Sequence, residues 1–152
     1  MSQHYLHPLF SPRSVAVFGA SDREASVAGV IYKNLAKSGF QGKVYPVNPK
    51  YETLLGEKCY AYAADLPEAP DLAIIATPAP TVAQIMDECG KRGVRQAVVL
   101  SAGFREVGAK GIAMYINLIP TARSHVSALI NLTCLNLQRT ANGGKATFAL
   151  ST

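Results

Sequence analysis

Residues 14–35 read SVAVFGASDREASVAGVIYKNL. Five apolar or small residues lead into Gly19, and an amphipathic segment follows the break. A strand, a tight turn and a helix bind phosphate well, because free N–H groups of the first helical turn point at the anion. The dinucleotide fingerprint G-x-G-x-x-G requires further glycines close by, but the next one here is Gly29. The stretch therefore predicts an α/β phosphate-binding turn that departs from the dinucleotide pattern.

Length and composition indicate one globular domain that covers residues 1–152. Hydrophobic residues make up 49% of the chain and charged residues 16%, which suits a domain with a buried core. The strongest apolar run, residues 72–76, is far shorter than the roughly 18 residues of a membrane helix. The N-terminus lacks a secretion signal, and three scattered cysteines lack metal-ligand spacing. We expect a cytoplasmic protein with reduced thiols, no bound metal and no membrane partner.

The positive charge, formally +5, is dispersed along the chain. A nucleic-acid-binding protein usually concentrates its basic residues in a stripe with interleaved aromatic residues. The charge pattern therefore favours a small anionic ligand over DNA or RNA.

Apolar runs recur at intervals of about one strand-helix unit. They occupy residues 15–18, 44–47, 72–76, 97–100 and 128–130. Continuous apolar runs are typical of strands that are covered on both faces. The pattern predicts a Rossmann-like open parallel sheet with helices on both faces.

The segments between these runs have helical spacing. One predicted helix buries a face made of Val27, Val30, Ile31 and Leu35; the next buries Val82, Ile85, Met86 and Cys89. Gly39 and Gly93 follow these two helices, where left-handed caps are expected. A third helix is predicted over 109–124, with a kink or end at Pro120, and a short strand near 58–62.

Small, hydroxyl-bearing or turn-forming residues follow four of the predicted strands. In chain order they are Gly19-Ala20-Ser21, Asn48-Pro49-Lys50, Thr77-Pro78-Ala79-Pro80 and Ser101-Ala102-Gly103. Loops are generally rich in such residues. Their recurrence at the carboxyl edge of a parallel sheet nevertheless favours a nucleotide-like site.

The end of the second strand bears on the ligand class. An NAD site places an acidic side chain there, which accepts hydrogen bonds from the ribose hydroxyls. This chain has Asn48-Pro49-Lys50 instead, and its first carboxylate is Glu52. A lysine suits an additional phosphate near the ribose, which NADP carries on its 2′-oxygen and coenzyme A (CoA) on its 3′-oxygen. In NADP sites the pyrophosphate packs tightly on the glycine-rich turn. The missing second glycine argues against that arrangement here, so CoA is favoured.

Four segments carry a family resemblance: FSPRSVAVFGAS (10–21), KVYPVNPKYETLLGEKCY (43–60), PDLAIIATPAPTV (70–82) and AVVLSAGFREVG (97–108). In this order and spacing they resemble the N-terminal CoA-binding domain of the NDP-forming acyl-CoA synthetases. That group is similar to the alpha subunit of succinyl-CoA ligase, and the same module opens the bifunctional protein lysine acetyltransferases that carry a GNAT domain. The resemblance runs from about residue 6 to residue 148.

The resemblance implies that the strand-end loops bind CoA or acyl-CoA. Gly19, Ala20, Ser21, Ser26 and Val27 would lie by the nucleotide and diphosphate, and Asn48, Pro49 and Lys50 would flank the adenosine end. Thr77, Pro78, Ser101, Ala102 and Gly103 would line the path of the pantetheine arm.

Two departures from the family bear on activity. Residues 131–136 read NLTCLN where the family has a Gly-Pro-Asn-Cys-Leu-Gly turn, so we expect Cys134 to be a small buried residue and not a catalytic thiol. None of His4, His7 and His125 lies in the motif of the synthetases' phosphohistidine. We therefore expect a fragment, or a stand-alone copy, of the first domain of a larger enzyme. It would be inactive alone, and its partners would be the remaining catalytic domains or subunits.

Two other classes of function stay open on the sequence. One is the NAD(P)-binding Rossmann domain of an oxidoreductase or redox sensor. The other is a regulatory or assembly module that has kept the fold and lost its ligand, for which the altered turn at 131–136 argues.

Overall fold

The structure, a computed structural model, describes residues 7–100 and three later strands at 128–131, 136–138 and 147–149. The helices are α1 (His7–Phe10), α2 (Val27–Lys37) and α3 (Ala79–Arg92), with a 3₁₀ turn at Ala63–Asp65. The strands are β1 (Ser14–Phe18), β2 (Lys43–Val47), β3 (Thr53–Leu54), β4 (Glu57–Lys58), β5 (Leu72–Ile75), β6 (Gln96–Val99), β7 (Ala128–Asn131), β8 (Asn136–Gln138) and β9 (Thr147–Ala149).

The main sheet has the strand order β2-β1-β5-β6-β7-β8-β9. Its first five strands are parallel, as predicted, with Val15 of β1 opposite Val44 on one side and Leu72 on the other. Strands β8 and β9 extend the sheet in antiparallel fashion, which the apolar pattern did not predict. From β1 the chain moves outward to β2 and then returns to the other side of β1 as β5. The order of the strands therefore reverses between β1 and β5, where an open α/β sheet offers a crevice for a ligand.

The two faces of the sheet bury separate apolar clusters, because successive side chains of a strand point to opposite faces. Val15 and Val17 of β1 pack on the α2 side, together with Tyr32 of that helix. Ala16 and Phe18 pack on the other side, where α3 contributes Val82, Met86 and Cys89. The prediction of a Rossmann-like sheet covered by helices on both faces is confirmed.

Helix α2 is rotated relative to the face predicted for it. Val27 and Val30 are exposed, by 58% and 44%, whereas Ala28 and Tyr32 are buried. The reason is the close approach at Gly29, where an added Cβ would lie 2.5 Å from the carbonyl oxygen of Ser21. The side of α2 with the smallest residues must face this loop, and the two valines turn outward.

Helices α2 and α3 end at glycines with positive φ angles, as the sequence predicted. Gly93 adopts φ +98° after α3, and its N–H donates to the carbonyls of Cys89 and Gly90. Gly39 adopts φ +77° one residue after the C-cap Ser38 of α2. Both caps agree with the prediction, whereas the helix predicted over 109–124 lies outside the described residues. Within the described part of the chain, no helix has the length and apolar character needed to cross a membrane.

The strand expected near 58–62 is only partly present. Strand β4 ends at Lys58 and pairs with β3 in a short antiparallel hairpin, outside the main sheet. Tyr60 then forms a single parallel bridge to Val47, with its N–H donating to the carbonyl of Pro46. This segment runs beside the end of β2 and so adds a wall to the carboxyl edge of the sheet.

Candidate ligand-binding site

A cleft of about 530 Å³ opens at the carboxyl edge of the sheet. Its walls come from the loop between β1 and α2, the turns that follow β2 and β5, and one side of α3. This is the crevice at the point where the strand order reverses, between β1 and β5. Its size falls within the range of small-molecule and cofactor sites.

Gly19 makes the turn after β1 possible. It adopts φ +86°, and a Cβ at this position would lie 2.9 Å from the backbone oxygen of Ala76, in the turn that follows β5. Its N–H donates to the carbonyl of Val47 at 2.9 Å. A side chain would therefore be strained by the backbone angle and would also collide with the neighbouring turn.

The loop that follows Gly19 presents the N-terminus of α2 to the cleft. Ser26 is the N-cap, and its Oγ accepts a hydrogen bond from the N–H of Gly29 at 3.1 Å. Ser21 Oγ similarly accepts from the N–H of Arg23 at 3.0 Å. Ser21, Arg23 and Ser26 all line the cleft. The partial positive charge of the helix N-terminus and the Arg23 guanidinium make this wall suitable for an anion.

Asn48 holds the turn after β2 in place. Its Nδ2 donates to the carbonyl of Ala20 at 2.9 Å, and its Oδ1 accepts from the N–H of Lys50 at 3.0 Å. The Asn48 side chain thus links the turns after β1 and β2, and it orients the backbone that bears Lys50. Lys50 is exposed and lines the cleft. Within residues 7–100 no carboxylate lies within ion-pair distance of its ammonium.

Asp22 connects the two loops that flank the cleft. Tyr51 Oη donates to Asp22 Oδ1 at 2.9 Å, and Lys33 Nζ donates to the Asp22 carbonyl at 3.0 Å. The first of these bonds joins the β1–α2 loop to the residue directly after Lys50. It therefore keeps Arg23 and Lys50 beside the same opening.

The turn after β5 and one stripe of α3 complete the cleft. Thr77 and Pro78 line it, and Thr81 Oγ1 lies 2.9 Å from Thr77 Oγ1. Further along α3 the lining residues are Gln84, Ile85 and Glu88, with Gln84 Nε2 donating to Glu88 Oε1 at 3.0 Å. The spacing of these residues from Thr81 is i, i+3, i+4 and i+7, which places them on one face of the helix.

Most of the residues predicted from the sequence meet at this cleft. The described ones that line it are Gly19, Ser21, Ser26, Asn48, Pro49, Lys50, Thr77 and Pro78. Ala20 and Val27 do not line it: Ala20 is a fully buried residue of the β1–α2 loop, and Val27 is exposed on the outer face of α2. Ser101, Ala102 and Gly103 lie outside the described residues, as does Cys134. Contact of any of these residues with a ligand stays a prediction.

Several lining residues were missed by the sequence reasoning. They include Arg23, Tyr51, Tyr62, Gln84 and Glu88. The α3 residues carried a usable signal, namely the helical spacing from Thr81, and Arg23 lies three residues before the N-cap Ser26. Nothing local marks Tyr62, which reaches the cleft because Tyr60 pairs with β2.

The thiols of the described residues are unsuited to covalent chemistry. Cys59 is buried, and its Sγ lies 3.6 Å from the carbonyl oxygen of Asn48. Burial raises the pKa of Cys59, and burial raises the pKa of Cys89 to about 12. Because only the thiolate is a good nucleophile, these protonated thiols are unreactive at neutral pH, and both cysteines act as packing residues of the core.

A sequence profile of the family described as CoA binding domain matches residues 13–135. The matched span includes β1, the turn at Gly19, both described cleft helices and Lys50. This chain belongs to the CoA binding domain family. The family resemblance seen in the sequence is confirmed, and neither an NAD(P)-dependent oxidoreductase nor a module without a ligand is favoured for this CoA binding domain.

Relatives of this CoA binding domain include acetate–CoA ligases. It is 43% identical over 141 residues to the ADP-forming acetate–CoA ligase I of Archaeoglobus fulgidus, covering 93% of this chain and 20% of the ligase. It is 40% identical over 124 residues to the alpha subunit of the ADP-forming acetate–CoA ligase I of Pyrococcus furiosus, covering 79% of this chain and 27% of the subunit. The chain thus spans a fifth to about a quarter of these relatives.

A solved structure shares the fold. The apo form of the dinucleotide-forming acetyl-coenzyme A synthetase 1 of Candidatus Korarchaeum cryptofilum superposes with a TM-score of 0.76 at 40% sequence identity. The match covers 82% of this chain and 27% of that one. The fold of the CoA binding domain is therefore an architecture known from a synthetase.

Proposed function

We propose that the chain is the CoA-binding domain of an NDP-forming acyl-CoA synthetase, or of a protein acetyltransferase of the same family, and that it holds CoA or acyl-CoA in the strand-end cleft. The observation that carries the proposal is the meeting of two anion-binding features, the α2 N-terminus and the Lys50 ammonium, in one cleft. In a family whose description is CoA binding, this cleft has the chemistry that a ligand with separate phosphates requires. We place the protein in the cytoplasm, where thiols such as Cys59 stay reduced.

The diphosphate of CoA would lie at the β1–α2 loop. Free N–H groups of the first turn of α2 and the Arg23 guanidinium supply donors there, and Gly19 lets the backbone approach closely. The absence of a second glycine near Gly19 is compensated by Gly29, at which the helix approaches the carbonyls of Ser21 and Arg23. Loop and helix pack tightly here through a glycine placed further along the chain.

The 3′-phosphate of CoA would pair with Lys50. The cleft-lining residues 47–51 include no carboxylate, and Glu52 does not line the cleft. The ribose of an NAD molecule would therefore lack the acceptor that it normally finds after the second strand. A phosphate on that ribose would instead meet an exposed ammonium.

The pantetheine arm would leave past Thr77 and Pro78 toward Ser101, Ala102 and Gly103. In this scheme the domain binds and orients the CoA, while activation of the acyl group and attack by the thiol take place with other domains or subunits of the parent enzyme. We expect the 152-residue chain by itself to form no acyl-CoA from acid, CoA and nucleoside triphosphate, and to acetylate no protein lysine. Turnover by the purified chain would contradict this scheme.

The assignment is tested with Lys50→Ala. We expect the change to weaken CoA by roughly 1.5–3 kcal/mol, the range for a hydrogen bond to a charged group. The loss should shrink at high salt, because an exposed ion pair is screened. Isothermal titration calorimetry with CoA, 3′-dephospho-CoA, NADP and NAD provides the measurement, and the wild-type chain should bind CoA and not NAD.

Lys37→Ala is the matched control, because Lys37 is an exposed lysine at the other end of α2 from Ser26. It should leave all affinities unchanged. Lys50→Ala should have almost no effect on 3′-dephospho-CoA, which lacks the phosphate. Equal weakening of both ligands would place Lys50 at the diphosphate instead, and equal affinity of the wild-type chain for NAD and CoA would contradict the proposed function.

A further inference from the structure

The cleft is electrically asymmetric. The loops at the strand ends carry Arg23, Lys50 and the N-terminus of α2, whereas Glu88 contributes a carboxylate from α3. Glu88 lies seven residues beyond Thr81, which corresponds to about 10 Å along the helix axis. A phosphate is attracted to the strand-end wall and repelled by Glu88. The part of a ligand beside Glu88 must therefore be uncharged or a hydrogen-bond donor.

The pairing of Gln84 with Glu88 determines which hydrogen-bonding groups remain for a ligand. Gln84 Nε2 donates to Glu88 Oε1 at 3.0 Å. This contact occupies part of the donor capacity of the amide and leaves the Gln84 carbonyl oxygen and the second Glu88 oxygen as acceptors. Together the two side chains favour a ligand group that donates hydrogen bonds.

Apolar groups flank this acceptor pair. Ile85 lies between the two polar residues in the α3 stripe, and Ala61 and Tyr62 line the cleft from the segment after β4. Tyr62 is 53% exposed, so its ring is accessible to a ligand in the cleft. An aromatic face and a branched aliphatic side chain provide the surfaces against which a flat heterocycle packs.

We infer that Gln84 and Glu88 accept hydrogen bonds from the exocyclic amino group of an adenine ring held beside Ile85 and Tyr62, and so select adenine over a base with a carbonyl at the same position. This inference rests on the proposed function and adds to it a means of base selection. The amino group of adenine donates two hydrogen bonds, whereas the carbonyl oxygen of hypoxanthine is a third acceptor, which forms no hydrogen bond with these two and is repelled by the carboxylate.

The test compares adenosine 3′,5′-bisphosphate with inosine 3′,5′-bisphosphate, which lack the pantetheine arm and differ in the base only at this group and at the adjacent N1, an acceptor in adenine and a donor in hypoxanthine. Calorimetry on the 152-residue chain should show roughly tenfold or greater preference for the adenine compound, as expected for a hydrogen bond to a charged acceptor. Glu88→Met keeps the side-chain length and helix propensity but removes the acceptor. It should bring the ratio of the two affinities close to one. Gln84→Met should reduce the same ratio.

Asp87→Asn is the control, because Asp87 is the neighbouring acid on α3, pairs with Lys91 at 2.6 Å and does not line the cleft. It removes the same charge and should leave the base preference intact. Equal binding of both bisphosphates by the wild-type chain, or an unchanged preference in Glu88→Met, would overturn the inference while CoA binding stands. A wild-type chain that binds neither CoA nor the bisphosphates would overturn the proposed function and this inference together.

Discussion

At the scale of single residues, two glycines shape the cleft by different physical means. Gly19 is required by its backbone angle, φ +86°, and by the proximity of the Ala76 oxygen. Gly29 has a helical backbone, and only space excludes a side chain there: a Cβ would lie 2.5 Å from the Ser21 oxygen and 3.1 Å from that of Arg23. Both contacts are to backbone atoms, which cannot rotate away as the end of a flexible side chain could.

Gly29→Ala should therefore displace the loop that carries Ser21 and Arg23. We expect it to lower the free energy of unfolding by about 1–3 kcal/mol, the range for overpacking, and to weaken CoA binding as well. Urea denaturation and calorimetric titration measure the two effects. Gly39→Ala is the comparison, because nothing lies within 4 Å of its added Cβ and only its φ of +77° is unfavourable. That variant should lose about 1–2 kcal/mol of stability and retain its affinity for CoA. If CoA binding by Gly29→Ala were normal, the loop position would not depend on this contact.

At the scale of elements, the N-terminus of α2 joins stability to ligand binding. The Ser26 hydroxyl accepts from the N–H of Gly29, so the cap satisfies one of the helix donors that would otherwise lack a partner. The same residue lines the cleft, beside the donors proposed for the diphosphate. The cap thus fixes where the helix begins, and with it the position of the free N–H groups.

Ser26→Ala should cost about 1 kcal/mol of stability, the usual effect of losing an N-cap side chain. It should also weaken CoA, because the first turn of α2 frays without its cap. Ser38→Ala is the matched change at the C-terminal end of α2, where the hydroxyl lies 3.4 Å from the Leu35 oxygen. We expect that variant to change stability by less than about 0.5 kcal/mol, as for an ordinary surface position, and to bind CoA normally. Equal losses of stability in the two variants would show that the Ser26 cap adds nothing.

At the scale of the whole molecule, the buried cores make stability sensitive to alkaline pH. Burial raises the pKa of Cys89, which lies fully buried on the core-facing side of α3, from 9.0 to about 12. A thiol whose pKa is raised in the folded chain keeps its proton there after the unfolded chain has lost it. Above the unfolded pKa the native state therefore binds more protons, and stability falls as pH rises from 9 toward 12.

Urea denaturation between pH 8 and pH 11 should show this fall. For one such group the slope approaches about 1.4 kcal/mol per pH unit once the unfolded thiol is ionised. Cys89→Ala should be less stable at neutral pH because it leaves a cavity, but its stability should decrease less steeply above pH 9. Tyr45, whose pKa burial and the hydrogen bond to Glu68 raise to about 12, contributes to the slope above pH 10 in both proteins. Parallel curves for the wild type and Cys89→Ala would contradict the role assigned to this thiol.

Local patterns in the sequence determined the five parallel strands of the main sheet, helices α2 and α3, and the turns at the carboxyl ends of β1, β2 and β5. Continuous apolar runs specify parallel strands that are buried on both faces, because only covered strands can be apolar on both sides. That Gly19 and the turn at Asn48-Pro49-Lys50 line one cleft was predictable because the carboxyl ends of parallel strands meet at one edge. These features depend on residues that are close together in the chain. The order of the strands determines only that the loops lie side by side.

The tertiary structure alone decided how the elements face one another. Val27 and Val30 point outward because there is little space at Gly29, where α2 meets the preceding loop. Helical periodicity carries no information about that space. Tyr62 joins the cleft through the bridge between Tyr60 and Val47, a pairing between segments that are distant in sequence. A periodic pattern shows that a helix has an apolar side, but the rotation of that helix and the residues opposite it are set by packing between distant parts of the chain.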